Sequence, residues 1–399
     1  MLIVKKFGGS SVRDAERIKN VADRVIRDYN EGHDIVVVLS AMGDTTDNYI
    51  KLAHELNERP SKREMDMLMT TGEQISVALL AMAIQAKRVP AVSLNAFQVG
   101  METTSDFMHA RLKRIQTQRL KNELENRKVV IVTGFQGVNR NDDFTTLGRG
   151  GSDTTAVALA SVLHADLCEI YTDVDGIYTA DPRVVPNAKK LDEITYDEML
   201  ELASLGAKVL HNRSVEMAKK YGVPLVVRSS LVDAEGTVVK EDVPVEKMLI
   251  KGVTCDKNVA KLAVIGLKNE PGVAFKLFNI LARYDVNVDI ILQSIGRNET
   301  KDISFTVAKE YLDDAIDALN DVNAGISFEK IHYDVDVAKV SIVGAGMMTH
   351  AGVAAKMFEA LYNANVNINM ISTSEIKITV LVHADDANRT VKAIHDMFE

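Results

Sequence analysis

The chain contains only two cysteines and no tryptophan, and these shortages exclude several classes of protein. Cys168 and Cys255 are too few for a disulfide framework or a cysteine-rich zinc site, so we expect a protein of the reducing cytoplasm. No apolar run approaches the roughly 20 residues that span a bilayer. The N-terminal sequence MLIVKKFGGSS lacks the apolar core of a signal peptide, so we expect no membrane partner.

Positive charge is also scarce. The chain has 47 Lys and Arg residues against 56 Asp and Glu residues, a formal net charge of -9, which argues against nucleic acid as a partner. A composition that is 46% hydrophobic and 26% charged is typical of a globular protein, and 399 residues predict two or three domains. An acidic protein that binds an anion must gather its cations at one place.

Residues 1–230 alternate short apolar runs with segments of helical periodicity, of which 156–163 is the clearest. Continuous apolar runs are typical of strands that are buried on both faces. The alternation therefore predicts an α/β domain with a mostly parallel sheet sandwiched by helices. Ser11 followed by Asp14 resembles a capping box that opens the first helix. The predicted strands are 2–7, 35–39, 91–94, 129–133, 167–172 and 224–227.

The C-terminal part contains an internal repeat, in which 260–294 resembles 338–373. Each copy predicts a strand, a glycine turn, a helix and a strand, followed by another strand and helix, which is most of a ferredoxin-like α+β unit. The first copy has its own closing strand at 328–335, whereas the second copy ends in a helix. We therefore expect a strand at 249–254 to complete the second sheet, with the first small domain inserted into the second.

Two glycine-rich turns precede predicted helices in the first domain. In the first turn, Lys6 precedes Gly8 and Gly9, and paired glycines beside a helix start and a lysine suit a phosphate. A tight turn with a solvated lysine remains an equal alternative from this pattern alone. In the second turn, at 147–155, Arg149 can hold a carboxylate bidentately, and Asp153 can orient Lys6 or receive an ammonium. A flexible surface loop is the alternative there.

A third loop, 172–183, directly follows a buried strand, at the place where α/β sheets bind ligands. Asp173 and Asp175 can arrange Mg²⁺ or a ribose, and they can equally cap an ordinary turn. The run Val343 to Gly346 resembles the start of a dinucleotide fingerprint, but Thr349 stands where the next glycine is needed. A dehydrogenase is therefore not expected.

Together, these loops resemble aspartate kinases of the amino-acid-kinase superfamily, and the repeats resemble ACT domains. The resemblance covers essentially the whole chain and is closest to the bacterial type built from a long α and a short β subunit. It implies a kinase domain at 1–245, a first ACT domain at 259–335 and a second formed by 246–258 and 336–399. The motifs that carry it are KFGGSSV (6–12), TTGEQIS (70–76), GRGGSDTTA (148–156), TDVDGIYTADPR (172–183) and GAKVLH (206–211).

The resemblance also implies roles for individual residues. Lys6 and Asp153 match the catalytic positions. The positions that match the aspartate site are Ser40, Thr45, Glu73, Arg149, Gly150 and Ser152. The positions that match the nucleotide site are Lys6, Gly8, Gly9, Thr172, Asp173, Tyr178, Arg183 and Lys208. Candidate effector positions in the first repeat are Glu270, Gly272, Val273, Ala274, Asn287, Asp289 and Gln293.

The implied reaction is phosphorylation of the β-carboxylate of L-aspartate by ATP with Mg²⁺, with feedback inhibition by lysine, threonine or both. The implied assembly is a homodimer or an α2β2 complex formed through the ACT domains, and Met248 marks where a separately made short subunit would begin. The second repeat has His350, Ala351 and Asn369 in place of Glu270, Pro271 and Asp289, so we expect weaker or differently selective binding there. The alternatives are a kinase for another amino acid and a catalytically silent amino-acid sensor.

We expect Lys6→Ala to lower kcat by about 100-fold or more, because a positioned cation that stabilises phosphoryl charge is lost. Steady-state measurement of ADP release checks this expectation. A kcat close to that of the wild type would refute the assignment of Lys6.

Overall fold

The structure is a computed structural model that describes residues 1–206, 209–242, 249–294, 300–321, 325–348, 350 and 352–398. The chain divides into two units. The first unit comprises Met1–Tyr178 and Lys189–Pro244, and the second comprises Thr179–Ala188 and Val245–Glu399. The segment 179–188 was predicted to belong to the kinase domain, and it packs instead with the second unit.

The first unit is built on an eight-stranded sheet of order β10-β12-β11-β9-β1-β2-β6-β3, with a smaller sheet of order β5-β4-β7-β8. Within the large sheet only the β11–β12 pair is antiparallel, which confirms the predicted mostly parallel sheet. The strands are β1 (Leu2–Phe7), β2 (Asp34–Leu39), β3 (Ala91–Leu94), β4 (Met101–Thr103), β5 (Leu112–Ile115), β6 (Val129–Thr133), β7 (Gln136–Val138), β8 (Phe144–Thr146), β9 (Leu167–Thr172), β10 (Glu193–Thr195), β11 (Leu225–Ser229) and β12 (Thr237–Lys240).

The helices of the first unit are α1 (Ala15–Asn30), α2 (Thr45–Leu56), α3 (Lys62–Gln85), α4 (Ala96–Val99), α5 (Gln118–Glu125), α6 (Gly151–Leu163), α7 (Tyr196–Ser204) and α8 (Asn212–Tyr221). Helix α3 is long and apolar enough to cross a membrane by length and composition, but half of its apolar stretch is buried within the protein. It also buries Asp66, Thr70 and Glu73. We therefore interpret α3 as a core helix.

The predicted capping box at the start of α1 is wrong. Asp14 is itself the N-cap, and its side chain accepts a hydrogen bond from the N–H of Arg17. Ser11 lies in a preceding 3₁₀ turn, Gly9–Val12, and its hydroxyl donates to Ser230 at 2.7 Å. Ser11 therefore belongs to the turn and Asp14 to the start of the helix that follows it.

A buried ionic network lies under α1. Lys5 is 1% exposed and forms ion pairs with Asp28 and Glu169. Burial alone lowers the pKa of Lys5, but its acidic neighbours outweigh this effect and raise the pKa above its ordinary value. Arg228 also pairs with Glu169, at 3.1 Å. Removal of one charged residue from such a network leaves an uncompensated buried charge, which destabilises the folded state.

The second unit contains two antiparallel four-stranded sheets, of order β15-β16-β14-β17 and β13-β18-β20-β19. Their strands are β13 (Gly252–Asp256), β14 (Ala260–Lys268), β15 (Ile291–Gln293), β16 (Thr300–Val307), β17 (Lys330–Asp334), β18 (Val337–Val343), β19 (Met370–Thr373) and β20 (Lys377–His383). The helices are α9 (Val273–Arg283), α10 (Leu312–Asn320), α11 (Val353–Asn363) and α12 (Ala387–Phe398).

The connectivity of these two sheets confirms the predicted insertion. Strand β13 pairs with β18 of the second repeat, from Gly252 opposite Val343 to Asp256 opposite Lys339. Strand β17 closes the first sheet against β14, as its position after α10 predicts. The whole first repeat therefore lies in the chain between two paired strands of the second.

We expect Lys5→Met to destabilise the fold by about 3 kcal/mol, because Asp28 and Glu169 lose their shared cation while the side-chain volume is kept. Urea unfolding measures the difference. The control is Lys19→Met, an exposed lysine on α1, which should stay within about 0.5 kcal/mol of the wild type. Equal stability of the two variants would contradict a network that depends on Lys5.

Candidate active site

The candidate active site lies at the carboxyl edge of the large sheet, where hydrogen bonds join each loop to the end of a neighbouring strand. The N–H of Gly8 donates to Tyr171 at 3.3 Å, and the N–H of Ser40 donates to Phe7 at 3.1 Å. The N–H of Gly134 donates to Leu39 at 2.9 Å. The loops after β1, β2, β6 and β9 therefore meet at one edge, as expected for parallel strands.

The central charge of this edge is the ammonium group of Lys6. Its Nζ lies 2.6 Å from Oδ1 of Asp153, and the two side chains are 12% and 11% exposed. The two predicted catalytic residues are therefore paired, and the role of Asp153 in orienting Lys6 stays a prediction. A Cβ added to Gly8 would lie 3.6 Å from the same Nζ, so a side chain at position 8 would contact the ammonium.

The predicted close approach at Gly9 occurs against the protein's own backbone. A Cβ at Gly9 would lie 2.8 Å from the carbonyl oxygen of Ala41 and 3.1 Å from that of Gly43. The N–H of Gly43 also donates to the carbonyl of Gly9 at 3.0 Å. Glycine at position 9 therefore lets the loops after β1 and β2 lie against each other.

Glu73, on α3, is 3% exposed, and only one of its two carboxyl oxygens has a hydrogen-bond partner among the described residues. Its Oε1 accepts a hydrogen bond from the N–H of Ala41 at 3.1 Å, whereas its buried Oε2 has no hydrogen-bond partner in the described part of the chain. Burial raises the pKa of Glu73 to about 8. Because a buried unpaired oxygen is costly, a donor from a bound molecule is the simplest explanation for it.

The start of α6 gathers the remaining predicted substrate residues. Gly150 has a φ of 68° and caps the helix, and the hydroxyl of Ser152 lies 3.0 Å from that of Ser40. Arg149 is exposed, and its guanidinium forms no hydrogen bond or ion pair with any described residue. Thr45 is engaged locally, since its hydroxyl donates to the carbonyl of Met42 at 2.5 Å.

The predicted nucleotide loop after β9 is ordered by its own polar side chains. The hydroxyl of Thr172 donates to Asp173 at 3.0 Å, and that of Tyr178 donates to Asp175 at 2.8 Å, which raises the pKa of Tyr178. A bridge between Tyr178 and Lys190 closes the base of the loop.

Two predicted nucleotide residues lie outside the described part of the first unit. Arg183 lies in the segment assigned to the second unit, and its guanidinium forms an ion pair with Asp181 at 2.7 Å. Lys208 lies outside the described residues. The roles of both residues stay predictions, as does the short subunit beginning at Met248, which also falls outside them.

Sequence reasoning missed a second set of residues that supports the start of α6. Asp66 is fully buried and accepts hydrogen bonds from the N–H groups of Met108 and Thr146, both at 2.9 Å. Arg213 donates to the carbonyl oxygens of Leu147 and Ala110. A sequence signal existed for Asp66, because it lies seven positions before Glu73 and therefore on the same face of α3.

The predicted effector residues divide into two groups. Glu270 and Val273 line a cavity of about 100 Å³ together with Lys268 and Lys276. Gly272 caps α9 with a φ of 90°, and Ala274 lies in that helix. In the other group, Asn287 and Gln293 are exposed, and the carboxylate of Asp289 pairs with Lys339 rather than pointing free.

Comparisons with known proteins agree with this geometry. Residues 1–229 match the profile of the amino acid kinase family, and residues 262–322 and 340–398 match that of an ACT domain. The fold and site are therefore those of an amino acid kinase that carries ACT domains. Aspartokinase of Mycolicibacterium smegmatis is 49% identical over 403 residues, which cover 100% of this chain and 96% of that protein. The chain belongs to the aspartokinase family.

Two solved structures of E. coli aspartokinase III support the same assignment. The complex with aspartate and ADP, in the R-state, has a TM-score of 0.85 at 28% identity and covers 100% of this chain and 99% of that one. The complex with lysine and aspartate, in the T-state, has a TM-score of 0.76 at 29% identity and covers 100% of both chains.

We expect Glu73→Gln to reduce the pH dependence of stability. The pKa of Glu73 rises from 4.5 to about 8 on folding, so between these values the folded chain keeps a proton that the unfolded chain has lost. The stability of the wild type should therefore fall by a few kcal/mol as pH rises through this range, and the variant should lack this fall. Urea unfolding of both proteins at pH 5 and pH 8 measures it. Parallel pH profiles would contradict the buried carboxyl.

Proposed function

We propose that this protein transfers the γ-phosphoryl group of ATP to the β-carboxylate of L-aspartate, which forms 4-phospho-L-aspartate and ADP. The observation that carries the proposal is the pairing of Lys6 with Asp153 beside one unsatisfied carboxylate and one unengaged guanidinium. Glu73 provides a buried acceptor oxygen for the ammonium of an amino acid, and Arg149 provides a cation for its α-carboxylate. The complex of E. coli aspartokinase III with aspartate and ADP supports both substrates.

The chemistry needs no strong base, because the β-carboxylate of aspartate is already ionised at neutral pH. Its oxygen bonds to the γ-phosphorus while the bond between that phosphorus and the bridging oxygen breaks, and ADP leaves with the electron pair. Two anions must meet, so the protein contributes mainly position and electrostatic stabilisation. Lys6 stabilises charge on the transferring group, and Asp153 holds Lys6 in place.

The amino-acid substrate is held between three elements. Glu73 of α3 receives its ammonium, and Arg149 binds its α-carboxylate. Ser40 and Ser152 supply hydroxyl groups, whose oxygens are 3.0 Å apart. Thr45 and Gly150 complete this proposed substrate site.

The nucleotide enters as its magnesium complex and lies over the glycine turns. The N–H groups at the start of α6 suit its phosphates, since four N–H groups of a helix start have no partner within the helix. Among the residues that the structure describes, no three His, Cys, Asp or Glu side chains are grouped to hold a metal. The proposed contacts are Gly8, Gly9, Thr172, Asp173, Tyr178, Arg183 and Lys208.

The second unit is proposed to inhibit the kinase when lysine, threonine or both bind at its first repeat. E. coli aspartokinase III has been solved with lysine and aspartate, which supports lysine in particular. The proposed domain limits are 1–245 for the kinase, except for the segment 179–188 that packs with the second unit, 259–335 for the inserted ACT domain, and 246–258 with 336–399 for the other. We further propose a cytoplasmic homodimer or α2β2 assembly formed through the ACT domains.

An ADP-release assay with MgATP and a panel of amino acids tests this proposal. We expect release with L-aspartate and none with glutamate or N-acetylglutamate, and the release should fall when lysine, threonine or both are added. Activity on glutamate alone would indicate another amino acid kinase. Binding of lysine or threonine without turnover of any substrate would indicate a silent sensor.

A further inference from the structure

A half-buried arginine outside the predicted site holds the backbone of the loop that carries Arg149. Nη1 of Arg213 donates to the carbonyl oxygen of Leu147 at 3.0 Å, and Nη2 donates to that of Ala110 at 3.1 Å. Within the described ranges, no carboxylate forms an ion pair with this guanidinium. The charged side chain of Arg213 is therefore committed to two backbone carbonyl groups.

The loop beyond Leu147 has little freedom of its own. The N–H of Leu147 donates to the carbonyl of Phe135 at 2.8 Å, so both main-chain polar groups of Leu147 are hydrogen-bonded. Gly148 and Gly150 adopt left-handed φ angles of 76° and 68°, and the N–H of Gly151 donates to the carbonyl of Gly148 at 3.0 Å. Arg149 consequently lies at the tip of a tight turn, between the hydrogen-bonded backbone of Leu147 and that of Gly151.

The start of α8 contacts this turn at a second point. The ring of His211 lies against Gly150, since a Cβ at that glycine would come within 2.2 Å of the Cγ of His211. The same ring caps α8 by accepting a hydrogen bond from the N–H of Arg213 at 3.4 Å. His211 and Arg213 therefore hold the two sides of the turn from one helix terminus.

We propose that Arg213 is a positioning residue for the amino-acid substrate, because its hydrogen bond to Leu147 sets where Arg149 stands. This inference rests on the proposed function, in which Arg149 binds the α-carboxylate of aspartate. The Arg149 guanidinium forms no hydrogen bond or ion pair with any described residue, so its location depends mainly on the backbone that carries it. A shift of that backbone moves the guanidinium without removing it.

The planar guanidinium is the feature that lysine cannot replace. Two of its N–H groups point in fixed and different directions, so that one side chain reaches Leu147 and Ala110 together. A lysine keeps the charge but presents a compact ammonium on a flexible side chain. It can form a well-aligned hydrogen bond to one of the two carbonyl groups, but not to both. The substitution Arg213→Lys therefore separates the geometry of the contact from its charge.

The test compares Arg213→Lys and Arg213→Met with Arg149→Ala and with the double variant Arg213→Met/Arg149→Ala. We expect the KM for aspartate to rise about 10-fold in Arg213→Met and less in Arg213→Lys, because misplacement of a substrate-binding group weakens binding strongly. The KM for ATP should change by less than about two-fold. In the Arg149→Ala background, adding Arg213→Met should change the KM for aspartate by less than about two-fold, because residues that act through one another are not additive.

The control is Arg127→Met, whose guanidinium donates at 2.7 Å to Asp34, the first residue of β2, and therefore bonds at the amino edge of the sheet. This variant should keep both KM values, and thermal unfolding shows whether each variant is folded. If Arg213→Met does not fold, the KM for aspartate of Arg213→Lys decides the question. Equal changes in the KM values for aspartate and ATP would overturn the role proposed for Arg213 but not the proposed function. The same outcome follows if Arg213→Met changes the KM for aspartate by the same factor with and without Arg149. A wild-type chain with no aspartate-dependent ADP release would overturn the proposed function as well.

Discussion

The ion pair between Lys6 and Asp153 is the constraint on which the first unit depends. A largely buried ammonium group is stable only beside an anion, and Asp153 can supply it only if α6 begins directly opposite the end of β1. That requirement fixes the glycines before α6, because Gly150 must adopt a φ of 68° and leaves no room for a side chain against His211. The loops after β1 and β6 are thereby brought to the same edge as α6.

The acidic composition of the chain is consistent with this arrangement. The formal charge of -9 is spread over the protein, whereas Lys6 is held at one sheet edge and Arg149 at the tip of one turn. Substrate anions therefore meet a local positive field within a molecule that is negative overall. Lys5, the neighbour of Lys6 in sequence, has a different role, because alternation along β1 places it on the opposite face of the sheet. Its charge is satisfied there by Asp28 and Glu169.

The sequence predicted those parts of the fold that follow from local patterns. The bounds of β1, β3, β6 and β9 agree with their apolar runs, and the internal repeat predicted the pairing of β13 with β18. The short strands β10 and β12 were not predicted, because each begins and ends with a polar residue and neither forms a continuous apolar run. Ser11 was misassigned because a serine before an acidic residue suits a turn as well as a helix cap.

In the site, the sequence identified residues whose type suits a ligand and missed those that bind only the protein. Lys6 and Asp153 stood in recognisable turns, and the structure brings them together. Arg213 and Asp66 bond to the backbone of segments that are distant in sequence, and no local pattern records such partners. The unpaired oxygen of Glu73 could not be predicted either, because only the folded structure shows that no described donor lies within hydrogen-bond distance of it.

The insertion of the first repeat has a consequence for how the protein is made. Strand β13 emerges from the ribosome early, but its partner β18 begins only at Val337, after the whole first repeat has been synthesised. The first repeat can close its own sheet as it emerges, whereas the second must wait for β18 and β20 near the chain end. Until then β13 presents an unpaired edge, the kind of surface that invites pairing with another chain. The second repeat therefore closes its sheet later than the first repeat, and β13 is exposed to mispairing in the interval.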